Sequence, residues 1–102
     1  MNILVEFAGG VEHLFGNKKS IKLSLPADQF EEGKSKLLDL LVWLKNNLLK
    51  ERPELFLAPG DLTVRPGILV LVNGADWELE GKEEYLLHAN DNILFISTLH
   101  GG

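Results

Sequence analysis

The chain has 102 residues, 45% hydrophobic and 25% charged, the size and composition of one folded globular domain and unlike the apolar-poor profile of a disordered segment. Fifteen acidic against ten basic residues leave a formal net charge of -5, which repels phosphate backbones, argues against nonspecific nucleic-acid binding and favours a basic protein partner. The sequence contains no cysteine, so disulfides, thiolate metal sites and thiol nucleophiles are excluded.

Residues 3–7 form a short, mostly apolar stretch. Residues 20–25 alternate strictly, with Ile21, Leu23 and Leu25 on one face and Ser20, Lys22 and Ser24 on the other, and both segments read as strands. The turn formers Gly9-Gly10 and Gly16-Asn17 between them predict a hairpin with a long, irregular loop. From residue 35 to residue 49 the apolar period becomes helical: Leu37, Leu41, Leu44 and Leu48 recur on one stripe, which Leu38, Leu40, Val42 and Leu49 widen. Ser35 is the expected N-cap, Asp39 lies early in the helix dipole, Lys45 and Lys50 lie toward its negative end, and Pro53 blocks continuation.

Pro53, Pro59-Gly60 and Pro66-Gly67 are spaced turn signals, so residues 53–67 are expected to be a long connector with one short helical turn. Residues 68–72 are a run of isoleucine, leucine and valine ending on Asn73-Gly74, read as a central strand closed by a tight turn. A polar stretch with Trp77 and residues 78–84 follows, then Tyr85-Leu86-Leu87, the turn Asn90-Asp91-Asn92, and a last strand over residues 93–97. The order β, β, α, β, one or two short elements, β predicts a two-layer α+β domain, with one main helix packed across a mixed sheet. That outline is a β-grasp, with residues 1–97 as the domain and residues 98–102 as a flexible C-terminal tail. No apolar run approaches the roughly 20 residues of a membrane-spanning helix, and the first residues lack the charged-then-apolar layout of a secretion signal. The expected location is therefore the cytoplasm, with no membrane partner.

Enzyme chemistry is poorly supplied. His13, His88 and His100 are scattered with no zinc-binding spacing, so no metal ligands are assigned and His13 and His88 read as surface or cap residues. The glutamates at Glu31-Glu32 and within residues 78–84 sit in polar surroundings and read as solvated faces. Gly9-Gly10 lacks the strand-to-helix setting and the lysine of a phosphate loop and reads as a hairpin bend.

The tail offers more. Thr98-Leu99-His100-Gly101-Gly102 follows the last strand as an arm beyond a sheet edge. A terminal Gly-Gly has no Cβ to block passage through a narrow channel, so its carboxylate can be brought against ATP. A carboxylate has no good leaving group, and adenylation supplies one. Capture of the acyl adenylate by a persulfide then leads to a thiocarboxylate, and capture by a lysine amine leads to an isopeptide bond.

The blocks Leu71-Val72-Asn73-Gly74-Ala75-Asp76-Trp77-Glu78-Leu79 and Asn92-Ile93-Leu94-Phe95-Ile96-Ser97-Thr98-Leu99-His100-Gly101-Gly102 closely resemble the eukaryotic ubiquitin-related modifier family. The resemblance spans essentially the whole chain and implies a ubiquitin-like β-grasp, similar in fold to the bacterial sulfur carriers of molybdopterin and thiamine synthesis. It also implies a protein cosubstrate, not itself an enzyme, activated by an E1-like adenylyltransferase with a rhodanese-like domain. No cofactor would be bound; ATP and a persulfide donor would be used by the activating enzyme. Gly102 would carry the thiocarboxylate or the isopeptide bond, and Gly101, His100 and Leu99 would occupy the enzyme's channel. Sulfur would pass to the tRNA thiolation complex for 2-thiolation of wobble uridine in cytosolic tRNA, and the same terminus would attach to target-protein lysines, in the cytoplasm with the nucleus as a second compartment.

Ubiquitin has arginine where His100 stands here, which points either to a dedicated activating enzyme or to His100 as a solvated tail residue. Similarity to ubiquitin-like folds places Leu71 and Ile96 on a partner-facing side of the sheet, against the alternative that both are core. Trp77 is either a partner anchor or a packed cap on the sheet. The competing functional reading is a noncovalent β-grasp interaction module with an incidental Gly-Gly end.

Overall fold

Strand alternation builds the first half of the sheet. The computed structural model describes residues 1–60 and 63–98. In β1 (Asn2–Ala8), Ile3, Val5 and Phe7 are buried on one face while Leu4, Glu6 and Ala8 take the other. Strand β2 (Ser20–Ser24) pairs with it antiparallel, Leu23 opposite Ile3 and Ile21 opposite Val5, so both apolar sets share the inner face. The long loop between them folds into a 3-10 turn, Val11–Phe15, that buries Val11, Leu14 and Phe15.

The helix α1 (Leu37–Asn47) buries Leu37, Leu40, Leu41 and Leu44 on one stripe. Its N-cap is Lys36, whose backbone N–H donates to the Asp39 carboxylate at 2.8 Å. Ser35, the expected cap, instead accepts from the Glu31 N–H at 2.8 Å, closing the turn that precedes the helix.

Strand β3 (Ile68–Val72) turns through Asn73-Gly74 into the two-residue β4 (Ala75–Asp76), with Val72 opposite Ala75. Asn73 and Gly74 have φ of 50° and 85°, the left-handed pair that a two-residue hairpin loop requires. The last strand, β5 (Asn92–Ser97), enters between β1, which it pairs parallel, and β3, which it pairs antiparallel, giving the order β2-β1-β5-β3-β4. The expectation that β3 is central is thereby corrected: β5 takes the middle, and β3 is flanked on its far side by β4. An apolar run records which faces are covered, not which strands lie alongside.

The core sits between α1 and the inner face, and four phenylalanines join its parts. Phe7 stacks on Phe15 with centroids 4.1 Å apart, Phe15 meets Phe56 edge-on at 5.1 Å, and Phe56 meets Phe95 at 5.3 Å. Phe56 belongs to the stretch read from sequence as a connector. That stretch has its expected short helical turn, Pro53–Leu55, and also sends Phe56, Leu57 and Val64 into the core.

The loop before β5 is fastened by a buried carboxylate. Asp91 is 6% exposed and accepts from Asn73 Nδ2 at 2.9 Å, Tyr85 Oη at 2.6 Å and the His88 backbone N–H at 2.8 Å. Burial first, then the hydrogen bond to Asp91 and its charge, hold the Tyr85 phenol above its ordinary value. The unfolded chain loses that proton near its ordinary pKa of about 10, whereas the folded chain retains it. Stability contributed by Tyr85 is therefore fully present below about pH 10 and declines as pH rises beyond it. Tyr85 is the single tyrosine in the sequence, so phenolate absorbance reads it directly. We expect delayed ionisation in the native chain and, in Tyr85→Phe, a weaker alkaline decline in chemical denaturation; an ordinary titration curve for the native phenol would contradict this.

Candidate functional site

The fold brings the end of β5 to the middle of one sheet edge, with a neighbour on each side. Ser97 closes the strand opposite Ile68 of β3, and Ile96 lies opposite Ala8 of β1. Thr98, the first residue of the expected tail, donates to the Gly67 carbonyl oxygen twice, from its backbone N–H at 2.7 Å and from its hydroxyl at 2.7 Å. Gly102, Gly101, His100 and Leu99, the residues expected to carry the chemistry, lie outside the described residues. What the structure supplies is the root from which they leave.

Alternation along β3 and β5 sorts the expected docking residues. Val70 and Val72, with Ile93 and Phe95, are buried toward the helix, so Leu69, Leu71, Leu94 and Ile96 take the opposite face. Register sets Leu69 opposite Ile96 and Leu71 opposite Leu94. All four are half-buried rather than sealed into the core, and β1 adds Leu4, Glu6 and Ala8 to the same face. Leu71 and Ile96 thus share an aliphatic surface on the outer side of the sheet. Leu69 and Leu94, which were not among the docking residues singled out from the sequence, complete it; strand alternation, which sets Leu94 with Ile96 and Leu69 with Leu71, marks them.

Trp77 leaves this group. It is 7% exposed and belongs to the core, which corrects its reading as a partner anchor and leaves the packed cap. The Asp76 side chain accepts from the Glu78 N–H at 2.9 Å and starts the 3-10 turn Trp77–Leu79, which turns the indole inward. The apolar residue of that turn left in solvent is Leu79, 79% exposed.

The remaining polar candidates are engaged in surface structure. His13 Nδ1 lies 2.7 Å from Asn17 Oδ1, and the exposed His88 contributes its backbone N–H to Asp91. Lys34 meets Glu31 at 3.3 Å, Lys36 meets Glu84 at 2.8 Å and Lys82 meets Glu78 at 3.4 Å, all on exposed side chains. Among the described residues no three histidine or carboxylate side chains gather to hold a metal ion. Gly9-Gly10 lies in the bend after β1, with positive φ at both residues, as expected of a turn.

The family model Urm1 (Ubiquitin related modifier) matches residues 2–102. Ubiquitin-related modifier 1 of Bos taurus is 56% identical over 102 residues, covering 100% of this chain and 96% of the relative. Ubiquitin-related modifier 1 of Coccidioides immitis is 54% identical over 103 residues, covering 100% of this chain and 88% of the relative. Among solved structures, Urm1 from Trypanosoma brucei superposes with a TM-score of 0.85 at 44% identity, covering 99% of this chain and 95% of that one.

Proposed function

This chain belongs to the ubiquitin-related modifier family, and we propose on that footing that it is a sulfur carrier and protein modifier that reacts through the carboxylate of Gly102. The observation that carries this reading is a family match running to the terminal Gly-Gly itself, on a β-grasp fold whose last strand ends three residues upstream of His100. The chain is then the substrate of an activating enzyme and not a catalyst.

The chemistry follows from the acyl group. An oxygen of the Gly102 carboxylate attacks the α-phosphorus of ATP and pyrophosphate leaves, giving an acyl adenylate. A persulfide on the activating enzyme attacks the carbonyl carbon and expels AMP, forming an acyl disulfide. A thiol then takes the persulfide's other sulfur into a disulfide, which releases the thiocarboxylate. A lysine amine that attacks the adenylate's carbonyl carbon instead expels AMP, loses a proton and forms an isopeptide bond. The narrow profile of Gly101 and Gly102 lets the terminus enter the enzyme's channel ahead of His100 and Leu99. The thiocarboxylate supplies the tRNA thiolation complex for wobble uridine in the cytoplasm, and the isopeptide branch modifies target lysines there and in the nucleus.

ATP–pyrophosphate exchange by an E1-like enzyme with a rhodanese-like domain tests the first step: it should depend on this chain and saturate with it. A chain extended past Gly102 by a tag should fail to support exchange, whereas a noncovalent module would keep its partners when tagged. The outer sheet face is the natural surface for that enzyme, because Leu69, Leu71, Leu94 and Ile96 surround the strand that leads to the tail. Ile96→Asp is expected to raise the KM for the chain about tenfold, the loss of one well-placed apolar contact. The melting temperature should shift little, since this face lies outside the core. An unchanged KM would remove the outer face from the interface.

A further inference from the structure

Resting on the carrier role proposed above, we propose that Gly9, Gly67 and Thr98 are positioning residues that clamp the root of the tail from both neighbouring strands and so set the direction in which its last four residues leave the domain. On the β3 side, the carbonyl of Gly67, the residue before Ile68, accepts both the N–H and the hydroxyl of Thr98, each at 2.7 Å. On the β1 side, Gly9 follows Ala8 and packs its Cα against the Ser97 backbone. A Cβ at Gly9 would overlap the Ser97 carbonyl oxygen and come within 3.1 Å of Ser97 N and 3.3 Å of Ile96 Cγ2. Its φ of +66° is also one that an L side chain adopts reluctantly.

Core packing does not account for this arrangement. Thr98 is exposed and adds nothing to the buried cluster, yet both its donors are spent on one carbonyl. The consequence falls on what comes after it. With the chain fixed at Thr98, four residues remain, a reach of about 14 Å when extended. Were the root to fray, the arm would lengthen and the terminal carboxylate would spread over a larger volume, lowering its effective concentration at the reacting phosphorus. The clamp therefore acts on the chemical step, after the domain has docked through its own surface.

The test uses the full chain in pyrophosphate exchange, with kcat and KM measured separately, alongside the melting temperature and hydrogen exchange of the Thr98 amide by NMR. Thr98→Val keeps the N–H bond and the branched shape and removes only the hydroxyl bond. We expect kcat to fall about fivefold, the weight of one neutral hydrogen bond, with KM and melting temperature at wild-type values and faster exchange at residue 98. Thr98→Ser should restore kcat. Gly9→Ala, which displaces Ser97 from the other side, should lower kcat even after allowance for its reduced melting temperature. Wild-type kcat in Thr98→Val, a loss confined to KM, failure of Thr98→Ser to rescue, or an unprotected wild-type Thr98 amide would each overturn the clamp. A protected Thr98 amide in a wild-type chain that never supports exchange would overturn the carrier role, and the clamp's part in it with it.

Discussion

Deleting Gly102 is expected to abolish activation while leaving the domain as stable as before. The shortened chain would still end in glycine, so steric access to a narrow channel is preserved and the deletion isolates position. Removing one residue withdraws the carboxylate by about 3.4 Å. In-line attack on phosphorus needs the reacting atoms about 3 to 3.5 Å apart, and misplacement by even about 1 Å costs on the order of a hundredfold. Exchange should therefore drop to background. Stability should not follow, because the last core residue among those described is Phe95 and the last described hydrogen bonds of the chain end are made by Thr98. Paired measurements of exchange and melting temperature check this; exchange near the wild-type rate would mean that the terminal carboxylate is not the reacting group.

Phe56→Ala is expected to have the opposite profile, a large loss of stability far from the tail. Phe56 is 0% exposed and stands edge-on between Phe15 and Phe95, so it links the loop after β1 to the central strand. Truncation removes its transfer free energy and leaves a cavity whose rigid aromatic walls collapse poorly, a cost of about 3 to 5 kcal/mol. Against a total stability of about 5 to 15 kcal/mol, that should lower the melting temperature on the order of 20 °C. Denaturant titration reads the free energy directly. A loss below about 1 kcal/mol would mean that the connector is not part of the core.

The contrast between these residues shows what the sequence could reveal. Period exposed β2 and α1, and apolar runs bounded by turn residues exposed β1, β3 and β5, because these signals are local. The segment containing Phe56 read as a connector because Pro53, Pro59-Gly60 and Pro66-Gly67 punctuate it; the triplet Leu55-Phe56-Leu57 was the available sign that its middle turns inward. Strand β4 is two residues long and carries no period at all. The central place of β5 depends on its parallel pairing with β1, a relation between residues some ninety positions apart that no local pattern records.

The candidate site divides in the same way. Gly101 and Gly102 were singled out by the diglycine end and the blocks around it, which carry the family's pattern, and they lie outside the described residues. Leu71 and Ile96 followed from similarity to ubiquitin-like folds, and the strand register sets them on one face with Leu69 and Leu94. Trp77 did not, because a tryptophan serves equally as an interface anchor or a buried cap, and only the Asp76-capped turn decides that it faces inward. The bonds from Thr98 to Gly67 span 31 residues and were invisible from either end.

The proposed chemistry is tested most directly by intact-mass spectrometry of this chain after incubation with the activating enzyme, ATP and a persulfide donor. We predict a product heavier by the difference between one sulfur and one oxygen atom, with the change localised to the C-terminal peptide. An unchanged mass, under conditions in which the same enzyme converts another member of the family, would contradict the assignment of Gly102 as the sulfur-bearing residue.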